Sequence, residues 1–259
     1  MSMVRVNGVD LHVEEVAAEG IQRGTAVVIH GMTSDSMASW FLTLAHPLAQ
    51  AGFRVLLHDL RGHGHSERPP TGYSLNDFVA DLDALLTDHW RVDGPVHLFG
   101  NSFGGTVAFS YAALHPDRVA GIVAIESAPP TADWFDRMGS KLARVAETLA
   151  DAEAVANSRP LVARRVRAAS QLLAQTSLGS ELPTSVLPVP ELITEIRCPV
   201  LCLYGGESAV KELIGETERL LPQSQHIVIE GQRHTLLIKA PGQVQAHVLS
   251  WLSASALKG

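Results

Sequence analysis

Ser102 stands in Gly100-Asn101-Ser102-Phe103-Gly104, between an apolar β-like run, Val96 to Phe99, and a helix-like run, Thr106 to Leu114. A serine on a sharp strand-to-helix turn is held in a strained backbone conformation that aims its hydroxyl outward, the arrangement of a nucleophile elbow. Positions around such a serine must lack bulk so that neighbouring segments can pass, and Gly100, Gly104 and Gly105 supply that room. G-x-S-x-G arises by chance in roughly one chain in ten of this length, so context has to carry the argument. The chemistry would be acyl transfer. A carbonyl carbon that resists water needs a strong nucleophile, a base to free it, and aimed N–H donors for the oxyanion that results.

The base would be a histidine, and one of the 12 falls where an open parallel sheet gathers its loops. His234, in Glu230-Gly231-Gln232-Arg233-His234, lies between the last apolar run and the last amphipathic helix-like segment. His63 and His65 form an H-x-H pair, but no third ligand recommends itself, so their loop reads as structural and no metal is expected. Cys198 and Cys202 are the two cysteines. On one extended strand their Cα atoms would stand about 13 Å apart, beyond disulfide reach. They read as buried thiols, and no cofactor is called for.

The elements that must position these residues alternate. The chain opens as an antiparallel hairpin, Val4 to Val6 and Leu11 to Glu15, reversing at Asn7-Gly8. Apolar runs follow at Ala26 to His30, Arg54 to Asp59, Val96 to Phe99, Gly121 to Glu126, Pro199 to Tyr204 and His226 to Glu230, continuous enough for strands buried on both faces. Helical patterns fall between them at Ser39 to Ala51, Asn76 to Trp90, Thr106 to His115, Val210 to Leu221 and Gly242 to Ser253. Such alternation predicts an α/β fold with a mostly parallel sheet and right-handed crossovers. A long gap between Glu126 and Pro199 breaks the rhythm and predicts a helical cap inserted after the sixth strand. The expected division is a core of residues 1–128 and 196–259 and a cap of residues 129–195. Within the cap, Phe135, Met138, Leu142, Val145 and Leu149 mark one face of a helix. A second helix is expected after Pro160, with Arg164, Arg165 and Arg167 on a solvated face.

At 259 residues, 46% hydrophobic and 18% charged, the composition is that of a globular protein, and a net charge of -7 argues against nucleic acid or an anionic membrane as partner. The first ten residues lack a charged-then-apolar leader pattern, which gives a cytoplasmic location as the default expectation. A homodimer is left open.

Two further stretches complete a resemblance. His30-Gly31-Met32 follows a strand, and Asp59-Leu60-Arg61-Gly62-His63-Gly64-His65-Ser66 fits a D-x-R-G-x-G-x-S pattern. Together with the serine turn and the late histidine, and in this order, they make the chain resemble the α/β-hydrolase superfamily over nearly its whole length. That resemblance implies Ser102 as nucleophile, His234 as base, and the backbone N–H groups of Met32 and Phe103 as oxyanion hole. It also exposes a departure. Most relatives place the orienting acid three residues after the glycine ending the penultimate strand, where this chain has Ser208. A serine cannot balance an imidazolium, which leaves Glu207, one residue early, or Glu126 at the end of the preceding strand. A carboxylate directly after a buried strand is costly without a partner, and that favours Glu126. This acid placement is similar to that of zearalenone lactonase and several haloalkane dehalogenases.

A serine nucleophile disfavours the alkyl-enzyme chemistry of dehalogenases and epoxide hydrolases and leaves acyl transfer to water. Trp40, Trp134, Phe135 and Met138 are the candidates for an apolar substrate pocket, which points to a small apolar ester or lactone. Thioesters and carbon–carbon bonds of diketones would suit the same three residues, and so would a slow-turnover ligand receptor of the same fold.

Overall fold

A computed structural model describes residues 2–156 and 160–255, with the side chains of residues 145–166 and 255 left undescribed. Eight strands form one sheet in the order β1-β2-β4-β3-β5-β6-β7-β8. β1 (Ser2–Val6) and β2 (Val9–Val16) make the antiparallel hairpin, and β2 also runs antiparallel to β4 (Phe53–His58). The turn between them places Asn7 and Gly8 at φ of 48° and 76°, the left-handed geometry that Asn-Gly tolerates. From β3 (Gly24–Ile29) onward, through β4, β5 (Val96–Asn101), β6 (Val119–Ile125), β7 (Val200–Gly205) and β8 (Gln225–Ile229), neighbours are parallel.

The parallel strands are apolar because helices cover both faces. One core cluster joins Val27, Ile29, Leu98, Ile122 and Val200 to helices Leu75–Ala84 and Phe103–Leu114. The other joins Val28, Val55, Phe99, Val123 and Leu201 to the helical stretch 38–50 and to helix Pro241–Ser255. Helix Leu75–Ala84 starts at a capping box in which Ser74 and Asp77 satisfy each other's backbone ends.

Between β6 and β7 lie helices Ala132–Ala156, Pro160–Gln175, Leu178–Glu181 and Pro190–Thr194. Phe135, Met138 and Leu142 are buried as the apolar face of the first, and Arg167 is exposed; the side chains of Val145, Leu149, Arg164 and Arg165 lie outside the described residues. The insertion is stapled to the core through backbone donors. Glu181 accepts from the N–H groups of Gly72 (2.9 Å) and Tyr73 (2.6 Å), and Ser185 Oγ accepts from Leu75 N–H (2.8 Å). No helix among the described residues is long and apolar enough to cross a membrane.

Candidate active site

Four adjacent strands, β5 to β8, bring their C-terminal ends to one rim of the sheet, and each contributes a polar residue there. After β5, Ser102 takes φ 52° and ψ -119°, and its N–H continues the ladder by donating to Ile125 O at 2.8 Å. That turn exists because no side chain obstructs it. A Cβ on Gly104 would stand 2.1 Å from Ile29 O, and one on Gly100 would stand 2.3 Å from Gly105. Helix Phe103–Leu114 therefore begins three residues earlier than its apolar pattern predicts, immediately after the serine.

After β6, Glu126 also adopts a positive φ, 53°, a conformation rare for a non-glycine residue, while its N–H pairs with Leu203 O at 2.8 Å. Its carboxylate is fully buried. Oε1 accepts the Gly205 N–H, and Oε2 accepts the Ser208 hydroxyl and faces His234 Nδ1 at 2.9 Å. On the other side of the ring, His234 Nε2 lies 2.9 Å from Ser102 Oγ. Because a carboxylate can only accept, Nδ1 carries the proton and Nε2 is left to take one from the serine. Glu207 goes elsewhere. It turns to the surface, where it meets Arg233 at 3.0 Å with both side chains more than half exposed.

The parallel pairing of β6 and β7 explains how an acid can change strands. Ile125 lies beside Leu203, so the residue after Ile125 and the turn after Gly205 converge on the same space under the imidazole. Glu126 fills that space from β6, and Ser208 hydrogen-bonds it from β7.

The loop after β3 presents its donors selectively. Gly31 N–H is taken by Asp35 Oδ2 at 2.8 Å, and Thr33 N–H by His63 Nε2 at 2.9 Å with Thr33 at φ 70°. Met32 N–H between them meets no acceptor among the described residues. Phe103 N–H, in the first helical turn, has no intrahelical acceptor either. Its ring instead packs edge-on against Phe78, 4.9 Å between centroids.

The H-x-H loop braces that arrangement. His63 holds Arg61 O with Nδ1 (2.9 Å) and the Thr33 N–H with Nε2, so both nitrogens are committed. Burial, aided by nearby His30, pulls its pKa down to about 3, which keeps Nε2 an acceptor. Burial alone would push Asp59 up, but N–H donors of His65 and Met37, with His30 and His12 beside them, hold its carboxyl below the ordinary range. Arg61 locks the loop to helix Leu75–Ala84 through two bonds to Asp81, 2.7 and 2.6 Å.

A cavity of about 520 Å³ opens above Ser102 and His234 toward helix Ala132–Ala156. Trp134, Met138, Leu142 and Val210 give it an apolar wall, while Thr33, Ser140, Lys141, Asp136, Arg137, Arg144 and Ser208 give polar groups. Two residues expected in this pocket are not there. Trp40 is fully buried in the core beneath the opposite face of the sheet, among Val28, Leu44 and Leu57. Phe135 is buried in the other core cluster and, unlike its cluster neighbours Trp134, Met138 and Leu142, does not line the cavity. Trp134 is anchored by Nε1–H to Thr106 Oγ1 at 2.6 Å. Lys141, Asp136 and Arg144 were missed as cavity residues, although their spacing from Trp134 and Met138 on one helix was the available signal. Cys198 precedes β7 and Cys202 lies within it; both are free, and burial pushes both thiols up to about 12.

A family model described as the alpha/beta hydrolase fold matches residues 26–190. The chain belongs to this family. Among the α/β hydrolases, a 2-(acetamidomethylene)succinate hydrolase of Mesorhizobium japonicum is 30% identical over 79% of this chain and 79% of its own length. A non-heme chloroperoxidase of Streptomyces lividans is 37% identical over 43% of this chain, a match spanning 40% of that relative's length. Among solved structures, a carboxylesterase of Nitrososphaera gargenis aligns over all of both chains with TM-score 0.81 at 21% identity. An enol-lactonase of Burkholderia xenovorans aligns over 97% of this chain and 100% of its own with TM-score 0.76 at 20% identity. Hydrolase is the enzyme class indicated by the relative matched over most of both lengths.

Proposed function

We propose that the protein is a serine hydrolase that cleaves a carboxylic ester or lactone through an acyl-enzyme intermediate on Ser102. The observation that carries this reading is the unbroken relay from Ser102 Oγ to His234 to Glu126, 2.9 Å at each step. His234 Nε2 takes the serine proton as Oγ attacks the carbonyl carbon. Glu126, desolvated and held by Gly205 and Ser208, balances the imidazolium. The tetrahedral oxyanion accepts from the N–H groups of Met32 and Phe103, and each such donor is worth about 3 kcal/mol of barrier. His234 then hands its proton to the leaving alkoxide. Water, deprotonated by the same ring, attacks the acyl-enzyme and frees Ser102.

The apolar part of the substrate rests against Trp134, Met138, Leu142 and Val210. The reading is tested with p-nitrophenyl esters, lactones, thioesters and diketones offered to the wild type, with Ser102→Ala as the blank. Ester or lactone turnover is expected, falling by at least about 10⁴-fold in Ser102→Ala with an unchanged Tm. Equal turnover in the variant would contradict it.

A further inference from the structure

The cavity wall contributed by helix Ala132–Ala156 carries a cation that the acyl-transfer chemistry does not use. Arg137, Lys141 and Arg144 follow one another at spacings of four and three, so they share the helix face that looks onto the cavity. Their situations differ. Arg137 is balanced by Asp133 at 3.1 Å and by Glu212 at 2.9 Å. Lys141 has no hydrogen bond or ion pair among the described residues.

Lys141 also occupies a distinctive place. A second cavity, about 250 Å³ and lined by Gly31, Met32, Asp35 and Asn101, lies on the oxyanion-loop side of Ser102. Ser102, His234, Thr33 and Lys141 border both cavities, so Lys141 stands over the reacting serine from the cap side. Lysines on helix surfaces ordinarily extend their ammonium groups into bulk water. Lys141 keeps an exposed side chain, and it lines both cavities. Surrounding protein strips hydration from the ammonium and lowers its pKa, partly offset by the nearby Glu126 carboxylate. Glu126 makes no hydrogen bond or ion pair with it, its oxygens meeting Gly205, Ser208 and His234 instead. Asp35, across the second cavity, is likewise committed to Gly31, Ser36 and Asn101. Asp136 is the remaining carboxylate along the first cavity.

We propose that Lys141 is a charge-recognition subsite, and that the substrate carries a carboxylate which meets this ammonium while its ester or lactone carbonyl lies against Ser102. The apolar wall and this cation together select an amphipathic anion: a short apolar segment between the scissile carbonyl and a terminal carboxylate. A charge-assisted bond of this kind is among the stronger polar contacts available. The inference rests on the acyl-transfer reading for the position of the carbonyl, and not for the position of the charge.

The test compares p-nitrophenyl butyrate with mono-p-nitrophenyl glutarate, which adds a carboxylate to an acyl chain of similar length. Wild type is expected to favour the glutarate ester in kcat/KM. Lys141→Met should shrink the glutarate-to-butyrate ratio by about tenfold or more, and Lys141→Arg should retain it. A ratio that is unchanged in Lys141→Met would overturn the proposal. A readout without turnover separates the two readings. Calorimetric binding of monomethyl glutarate is compared between Ser102→Ala and Ser102→Ala/Lys141→Met proteins. Weaker binding in the double variant supports the subsite even if wild type hydrolyses neither ester, a result that would sink the hydrolase reading alone. Equal binding in the two proteins removes the subsite whatever the turnover.

Discussion

The rim of the sheet and the cap wall that faces it are built on different rules. At the rim nearly every polar group is committed: Glu126 to three donors, His63 to two backbone groups, Asp59 to His12, Met37 and His65. Two of its residues, Ser102 and Glu126, sit at positive φ, held there by continuing strand ladders. The wall on helix Ala132–Ala156 needs only an amphipathic face; there Arg137 pairs with Asp133 and Glu212 at the surface, while Lys141 makes no hydrogen bond or ion pair among the described residues. The rim therefore fixes a reaction, and the wall is free to set which molecule undergoes it.

Breaking the rim should give the largest effects. Glu126→Gln keeps the shape but removes the charge opposite His234, and kcat should fall by roughly 10³-fold or more. Glu207→Gln, at the surface with Arg233, should stay within about twofold. Comparable losses in the two variants would erase the distinction between them. Gly104→Ala places a methyl 2.1 Å from Ile29 O, inside backbone that cannot yield, and should cost about 3 kcal/mol or more in urea unfolding.

Acid should divide the two regions as well. Burial, with His30 adding repulsion, lowers the pKa of His58 and His63 to about 3, and burial lowers that of His97 to about 4. Their folded pKa values lie below the unfolded value near 6.5, so the unfolded chain takes up protons that the folded chain refuses. Stability is thus full above about pH 6.5 and falls as the pH drops toward 4, by about 2 kcal/mol per histidine at pH 5. Residues 129–195 contain no histidine. His58, whose two ring nitrogens have no partner and whose ring packs on Trp90, offers the cleanest test. Between pH 7 and pH 5, His58→Leu should lose less stability than wild type by about 2 kcal/mol, and an identical loss would refute the assignment. The smallest effect belongs to the wall. Gly139→Ala meets only Pro183 carbons, at 3.5 Å and beyond, so helix propensity should dominate and stabilise by up to about 1 kcal/mol.

The same contrast explains what could be read from residues alone. Strand positions along the chain follow from continuous apolar runs because both sheet faces are covered, and each predicted strand appears within two residues of its place. The serine turn was legible because its glycines are demanded by atoms that would otherwise collide. Trp40 and Phe135 misled because an aromatic near a motif has no sequence mark saying which side of a helix or sheet it faces. Ser208 stands out as a departure in the sequence, but its hydroxyl's bond to Glu126 depends on the β6–β7 pairing, which links positions 82 residues apart. Lys141 shares a helix face with Arg137 and Arg144, but that spacing alone reads as a solvated face until the cavity beside it is known.

The central claim is that Glu126 and His234 together activate Ser102. Its most direct measurement is the rate of fluorophosphonate modification, followed by intact mass and located by peptide mapping. One adduct on Ser102 is predicted, formed far more slowly in Glu126→Gln and His234→Ala than in wild type and at the wild-type rate in Glu207→Gln. An adduct on another residue, or an equal rate in Glu126→Gln and wild type, would contradict the account.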